Sequence, residues 1–157
     1  MNKPMYNPEM QLSPNFQLKE FIESQTADSL KIDNRPDWET VINLRNLCRE
    51  VLQPLRDYAQ QPIHVNSGYR CEALNEAVHG VGNSQHLYGQ AADLHIPNVD
   101  TGRKWYEFLV NHTDFDQVLF DQVLFEYRHG GARWLHVSCR RNRRENRHQA
   151  FPNFPAR

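Results

Sequence analysis

Hydrophobic positions recur along this chain in two rhythms, and each rhythm predicts a different kind of element. Val41, Leu44, Leu47, Cys48, Val51, Leu52 and Leu55 repeat at intervals of three and four, which is one buried stripe on a long amphipathic helix. Pro36 fits the first position of that helix, and Pro54, inside the stripe, should kink or restart it. Phe16, Leu18, Phe21 and Ile22 predict a shorter helix within Ser13 to Ala27, and Trp105, Phe108 and Leu109 predict another from Asp100 to His112. Glu72 to Val78 is long enough for one or two helical turns.

Elsewhere the period is two. Ala91 to Ile96 alternates as a strand, with Asp93 and His95 on one face and Ala92, Leu94 and Ile96 on the other. Arg133 to Cys139 reads the same way, placing Trp134, His136 and Ser138 on a shared face. Ile63 to Asn66 is a short strand, followed by the exit loop Ser67-Gly68-Tyr69-Arg70. The segment Asp116-Gln-Val-Leu-Phe120 is repeated at once as Asp121-Gln-Val-Leu-Phe125. The second copy, ending at Glu126, is assigned as a buried strand and the first copy has no assignment. Arg128-His129-Gly130-Gly131 is a hairpin turn. Helices outside a small antiparallel sheet give an α+β class. The expected organisation is a loose arm over residues 1–12, one domain over 13–140 and a basic, partly disordered tail over 141–157.

Composition narrows the function. At 157 residues the chain suits a single domain with its own core. A formal net charge of -1 gives no general attraction to nucleic acid or anionic membranes. No apolar run reaches the roughly 20 residues of a membrane-spanning helix, and the first residues lack the apolar stretch of a secretory signal. The chain is expected to remain where it is made unless another system releases it. Cys48, Cys71 and Cys139 are odd in number and contain no C-x-x-C pair, so they read as small buried hydrophobes.

Ser84 to Ile96 carries the densest candidate chemistry. It offers His86 and Asp93, with Gly89, Ala91 and Ala92 between them to allow close backbone approach. His136 adds a second imidazole from another strand. Two histidines and a carboxylate leave one position of a tetrahedral zinc open for water, the pattern of catalytic zinc. Ser84 is placed to hydrogen-bond within the ligand loop, and Tyr88 and Trp134 to line a substrate groove. His95 could steady Asp93 or simply face solvent. His64, His79, His112 and His148 fall into no pattern.

S-Q-H-L-Y-G-Q-A-A-D (Ser84 to Asp93) with W-L-H-V-S (Trp134 to Ser138) resembles the S-x-H-x-x-G-x-A-x-D and W-x-H motifs of the zinc D-Ala-D-Ala carboxypeptidase and peptidoglycan endopeptidase family, peptidase family M15. Val65 to Arg70 resembles its S-G-Y-R segment. Leu12 to Phe16, Asn43-Leu44 and Val51 to Arg56 resemble the N-terminal helices of its compact, phage-associated branch. The resemblance spans roughly Leu12 to Arg140 and implies the hedgehog/DD-peptidase fold.

It also implies one zinc per chain held by His86, Asp93 and His136, which would activate a water and polarise the scissile carbonyl. Arg70 matches the arginine that binds a substrate carboxylate or steadies the oxyanion; a surface salt bridge is the other reading of that residue. Many relatives carry a glutamate three residues before the last histidine, where this chain has Arg133. Glu126 is then the candidate general base, with His129 as fallback. The implied function is hydrolysis of peptidoglycan stem peptides next to D-amino acids by a monomeric enzyme that neither enters membranes nor binds nucleic acid. A phage or prophage lysis role fits the size and the missing signal. The competing expectation is a non-catalytic wall- or peptide-binding module of the same fold. The run Arg140-Arg141-Asn142-Arg143-Arg144 comes without aromatic interleaving, so it reads as a solvated tail or one drawn to anionic wall polymers.

Overall fold

A computed structural model of the chain describes residues 7–121 and 134–153. The chain enters through a two-stranded hairpin, β1 (Gln11–Ser13) and β2 (Phe16–Gln17), then two short helices, α1 (Lys19–Ile22) and α2 (Gln25–Leu30). These replace the single helix expected over 13–27. The break has a local cause: Ser24 is extended and its Oγ accepts from the Ala27 N–H, capping a new helix. The expected loose arm is also corrected at its end, where Leu12 is buried in the core and Ser13 donates to Gln53 Oε1 at 2.8 Å.

Asp37 caps α3 (Trp38–Leu47) by accepting from the Thr40 N–H at 2.8 Å. The helix runs on through a π turn, Cys48–Leu52, into α4 (Gln53–Ala59). Pro54 therefore does not end the rod: it falls in the first turn of α4, where the α-helical pattern restarts after the π turn. The wider turn just before the proline relaxes the crowding its ring would impose, and the missing N–H falls where the bonding pattern already changes. The stripe from Val41 to Leu55 is buried along this whole rod.

The remaining elements are β3 (Val65–Ser67), α5 (Glu72–Ala77), a 3₁₀ turn at Gln85–Tyr88, β4 (Ala91–His95), α6 (Val99–His112), β5 (Gln117–Asp121), β6 (Trp134–Ser138), a 3₁₀ turn at Arg143–Glu145 and β7 (Gln149–Asn153). The strands form one five-stranded sheet in the order β3-β4-β6-β5-β7. All neighbours are antiparallel except β5 and β7, which run parallel. The fold is α+β, with a sheet that is mixed at one end.

Two sequence expectations change here. The first copy of the repeated pentapeptide supplies β5, the strand beside β6, while Val123 to Glu126 lie outside the described residues. The stretch expected as a disordered tail instead supplies β7. What recruits it is Asp116, a carboxylate with no exposed surface, which accepts from Arg147 at its backbone N (2.8 Å), Nε (3.0 Å) and Nη2 (2.7 Å).

One face of the sheet carries Ala92, Leu94, Val118, Phe120, Leu135 and Val137, all buried in the core with the helical stripe, Trp105 and Leu109. The opposite face carries the polar side chains. Paired positions run across it in one row: Ser67 opposite Asp93, Asp93 opposite His136, His136 opposite Leu119, Leu119 opposite Phe151. Directly paired residues share a face, so this row is a single line of side chains crossing all five strands. Among the described residues no helix is long and apolar enough to cross a membrane.

Candidate metal centre

Asp93 and His136 are cross-strand partners, so the antiparallel register itself brings carboxylate and imidazole together. His136 Nδ1 lies 2.8 Å from Asp93 Oδ1. His86 reaches them from the 3₁₀ turn, whose first N–H groups are capped by Ser84: its Oγ accepts from the His86 N–H at 3.2 Å. Gly89 closes the turn at φ 71, a left-handed conformation that side chains resist. A Cβ there would lie 2.8 Å from the Thr40 carbonyl oxygen. The close approach that this glycine permits is to helix α3, rather than to a ligand sphere.

His86 Nε2 lies 3.3 Å from Asp93 Oδ2. Its other nitrogen, Nδ1, is 2.6 Å from the Gly68 carbonyl oxygen and so donates to it. That bond orients the ring and turns Nε2 toward Asp93. Ligand atoms of His86, Asp93 and His136 all lie within 4.8 Å of one another, close enough for one ion to gather them with small side-chain rotations. Two imidazoles and a carboxylate form a donor set that suits zinc.

Burial works against a charge on Asp93, yet hydrogen bonds from His136 and His86 outweigh it and hold the carboxyl well below the usual carboxylate range. Arg70 adds to this, with Nη2 3.6 Å from Asp93 Oδ2. Its Nε donates to Ser67 Oγ at 3.1 Å and its Nη1 to Asn75 Oδ1 at 2.9 Å. Asn75 is buried and is itself fixed by donating to the Val81 carbonyl at 2.9 Å. Burial lowers the Arg70 pKa while Asp93 raises it. The Arg70 side chain is 13% exposed and ion-paired to Asp93, so it stands within the cluster and not at an open surface.

A groove of about 530 Å³ opens over the cluster, lined among others by Arg70, Ser84, His86, Asp93, Trp134 and His136. Tyr88 is exposed and does not line it; its backbone carbonyl instead accepts from Asn43 Nδ2 at 2.8 Å. His95 is exposed on β4 and also stays outside the groove. Glu126, His129 and Arg133 lie outside the described residues. A larger cleft, about 990 Å³, adjoins the other side of Arg70 with Glu20, Glu23 and Asp28 in its wall, but it contains none of the three ligand candidates.

Sequence reading missed Asn75, His79 at the groove margin and the hub at Asp116. Asn75 sits on a short helix with no motif around it. Asp116 was hidden in the repeated pentapeptide, although a carboxylate ahead of a Val-Leu-Phe run is an unusual residue for a buried strand entrance. The cysteines match expectation in part: Cys48 and Cys139 are buried, Cys71 is partly exposed, and burial pushes the Cys139 thiol up to about 11.

The family model for Peptidase M15 matches residues 14–138, and the chain belongs to that family. Over a shorter stretch of 44 residues, 27% of this chain, it is 48% identical to the zinc D-Ala-D-Ala carboxypeptidase of Streptomyces albus G. That match spans 17% of the relative's length.

Proposed function

We propose that the protein is a zinc peptidase that hydrolyses peptidoglycan stem peptides at bonds next to D-amino acids. The observation that carries this reading is the convergence of His86, Asp93 and His136 under a groove that also contains Arg70. Family membership and the name of the Streptomyces relative support the same chemistry. A zinc ion held by the three side chains would activate a water and polarise the scissile carbonyl.

The protein's own residues supply the rest. Gly68 and Asp93 hold the two imidazoles in orientation, so little reorganisation is needed when substrate binds. Arg70, fixed by Ser67 and Asn75, presents its remaining donors to a substrate carboxylate or to the negative charge that develops on the carbonyl oxygen. Glu126, in the connection between β5 and β6, is proposed as the base that takes the proton from water and passes it to the leaving amine. Arg133, at the position where many relatives carry a glutamate, favours the second reading, a wall-binding module without turnover.

Glu126→Gln separates the two. Under the peptidase reading, zinc-loaded protein releases new amino groups from purified peptidoglycan, and the variant keeps its zinc while turnover falls by about 10²–10⁴-fold. Release at the same rate from both proteins would remove Glu126 from the mechanism. No release from either would leave the binding module.

A further inference from the structure

The row of side chains that crosses the sheet does not stop at the ligand candidates. Beyond His136 it continues with Leu119 on β5 and Phe151 on β7. Both are large apolar side chains left at the surface, 36% and 47% exposed. Single exposed hydrophobics are ordinary, but these two are adjacent and line the same groove as His86, Asp93 and His136. At the opposite end of the row is Ser67, which holds Arg70. Arg70 thus stands near one end of the row and an apolar pair at the other, with the ligand cluster between them. Phe151 also lies past residue 138, where the match to the family model ends.

We infer that Leu119 and Phe151 form a specificity subsite that takes an apolar side chain of the peptide on the amino-terminal side of the scissile bond. The inference rests on the peptidase reading and gives the substrate a direction. A carboxylate at Arg70 places the carboxyl-terminal part of the peptide over β3. The chain must then leave across β5 and β7. Neighbouring strands are about 4.8 Å apart, and an extended peptide advances about 3.5 Å per residue. Counted from the His136 strand, Leu119 thus lies about one residue, and Phe151 about three residues, toward the amino terminus from the scissile carbonyl. A charged side chain at this point would be desolvated against two apolar surfaces without a partner, whereas an aliphatic one removes apolar area from water.

The test uses zinc-loaded full-length protein and acetylated pentapeptides ending in D-Ala, in which the second and third residues before the scissile bond are both leucine, both alanine or both glutamate. The wild type should favour leucine over glutamate by about tenfold or more in kcat/KM. Phe151→Ser and Leu119→Ser should each erase most of that preference with zinc content unchanged, and Phe151→Leu should retain it. A preference that is absent in the wild type, or that survives both serine variants, overturns the subsite while the peptidase stands. If the zinc-loaded wild type cleaves neither these peptides nor peptidoglycan, the peptidase reading fails and the subsite fails with it.

Discussion

The carbonyl that His86 leans on belongs to a residue with no substitute at its position. A Cβ on Gly68 would lie 2.7 Å from Cα, Cβ and the carbonyl oxygen of Phe21, and most of those atoms are backbone that cannot swing aside. The same contact is used constructively, because the Tyr69 N–H donates to the Phe21 carbonyl at 2.7 Å. Helix α1 and the Ser67 to Arg70 loop are pressed together there, and the loop carries both the Gly68 carbonyl and Arg70. Gly68→Ala should therefore do two things at once. Overpacking should cost about 1–3 kcal/mol of stability, and displacement of the carbonyl should weaken zinc binding by about tenfold or more. Thermal melts of metal-free protein and a competitive zinc titration read the two effects separately. Zinc affinity equal to wild type would mean that the Gly68 contact does not orient His86.

At the scale of elements, the sheet is completed by an ion-pair latch. Asp116 stands just before β5, receives Arg147 from the segment leading into β7, and accepts from Gln85 Nε2 at 2.9 Å. Gln85 belongs to the turn that carries His86, so one carboxylate ties the last strand to the metal-site turn. Burial opposes its charge, but the hydrogen bonds from Arg147 and Gln85 and the charge of Arg140 prevail and hold it well below the usual carboxylate range. A carboxyl whose pKa is depressed by folding contributes stability above its unfolded value of about 4, and that contribution is lost as pH falls toward the folded value. Asp116→Asn should cost about 1–3 kcal/mol near neutrality, and the gap to wild type in urea unfolding should hold down to about pH 4 and narrow from there to about pH 2.5. A gap that does not change with pH would show that the latch acts by shape alone.

This latch also marks where reading the sequence stopped working. α3, α6, β4 and β6 were legible because each buries one face and so imprints its period on the chain. The three ligand candidates were legible because strand alternation put Asp93 and His136 on the polar face of two neighbouring strands. β7 left no such imprint. Its Gln-Ala-Phe-Pro-Asn has little alternation and contains a proline, tolerated because β7 is an edge strand of the sheet. Its partner β5 is parallel and distant in sequence, a pairing that no local pattern announces. The hairpin at β1 and β2 was hidden for a different reason: Phe16, Leu18 and Phe21 are buried, but their spacing fits a helix as well as it fits a turn between short strands.

For the whole molecule, the arrangement divides labour between the two faces of one sheet. The inner face and the helical rod form a continuous core, which makes the sheet rigid. The outer face can then hold a carboxylate, two imidazoles and a guanidinium in register without itself supplying the folding energy. Each ligand candidate comes from a different element, the turn before β4, β4 and β6, so the site exists only when the sheet is assembled. Zinc content of the purified full-length protein, beside that of His86→Ala and His136→Ala, tests this most directly. About one zinc per chain is expected in the wild type, with its loss in both variants, which remain folded. A wild type that holds no zinc after the metal is supplied, or variants that hold as much as the wild type, would contradict it.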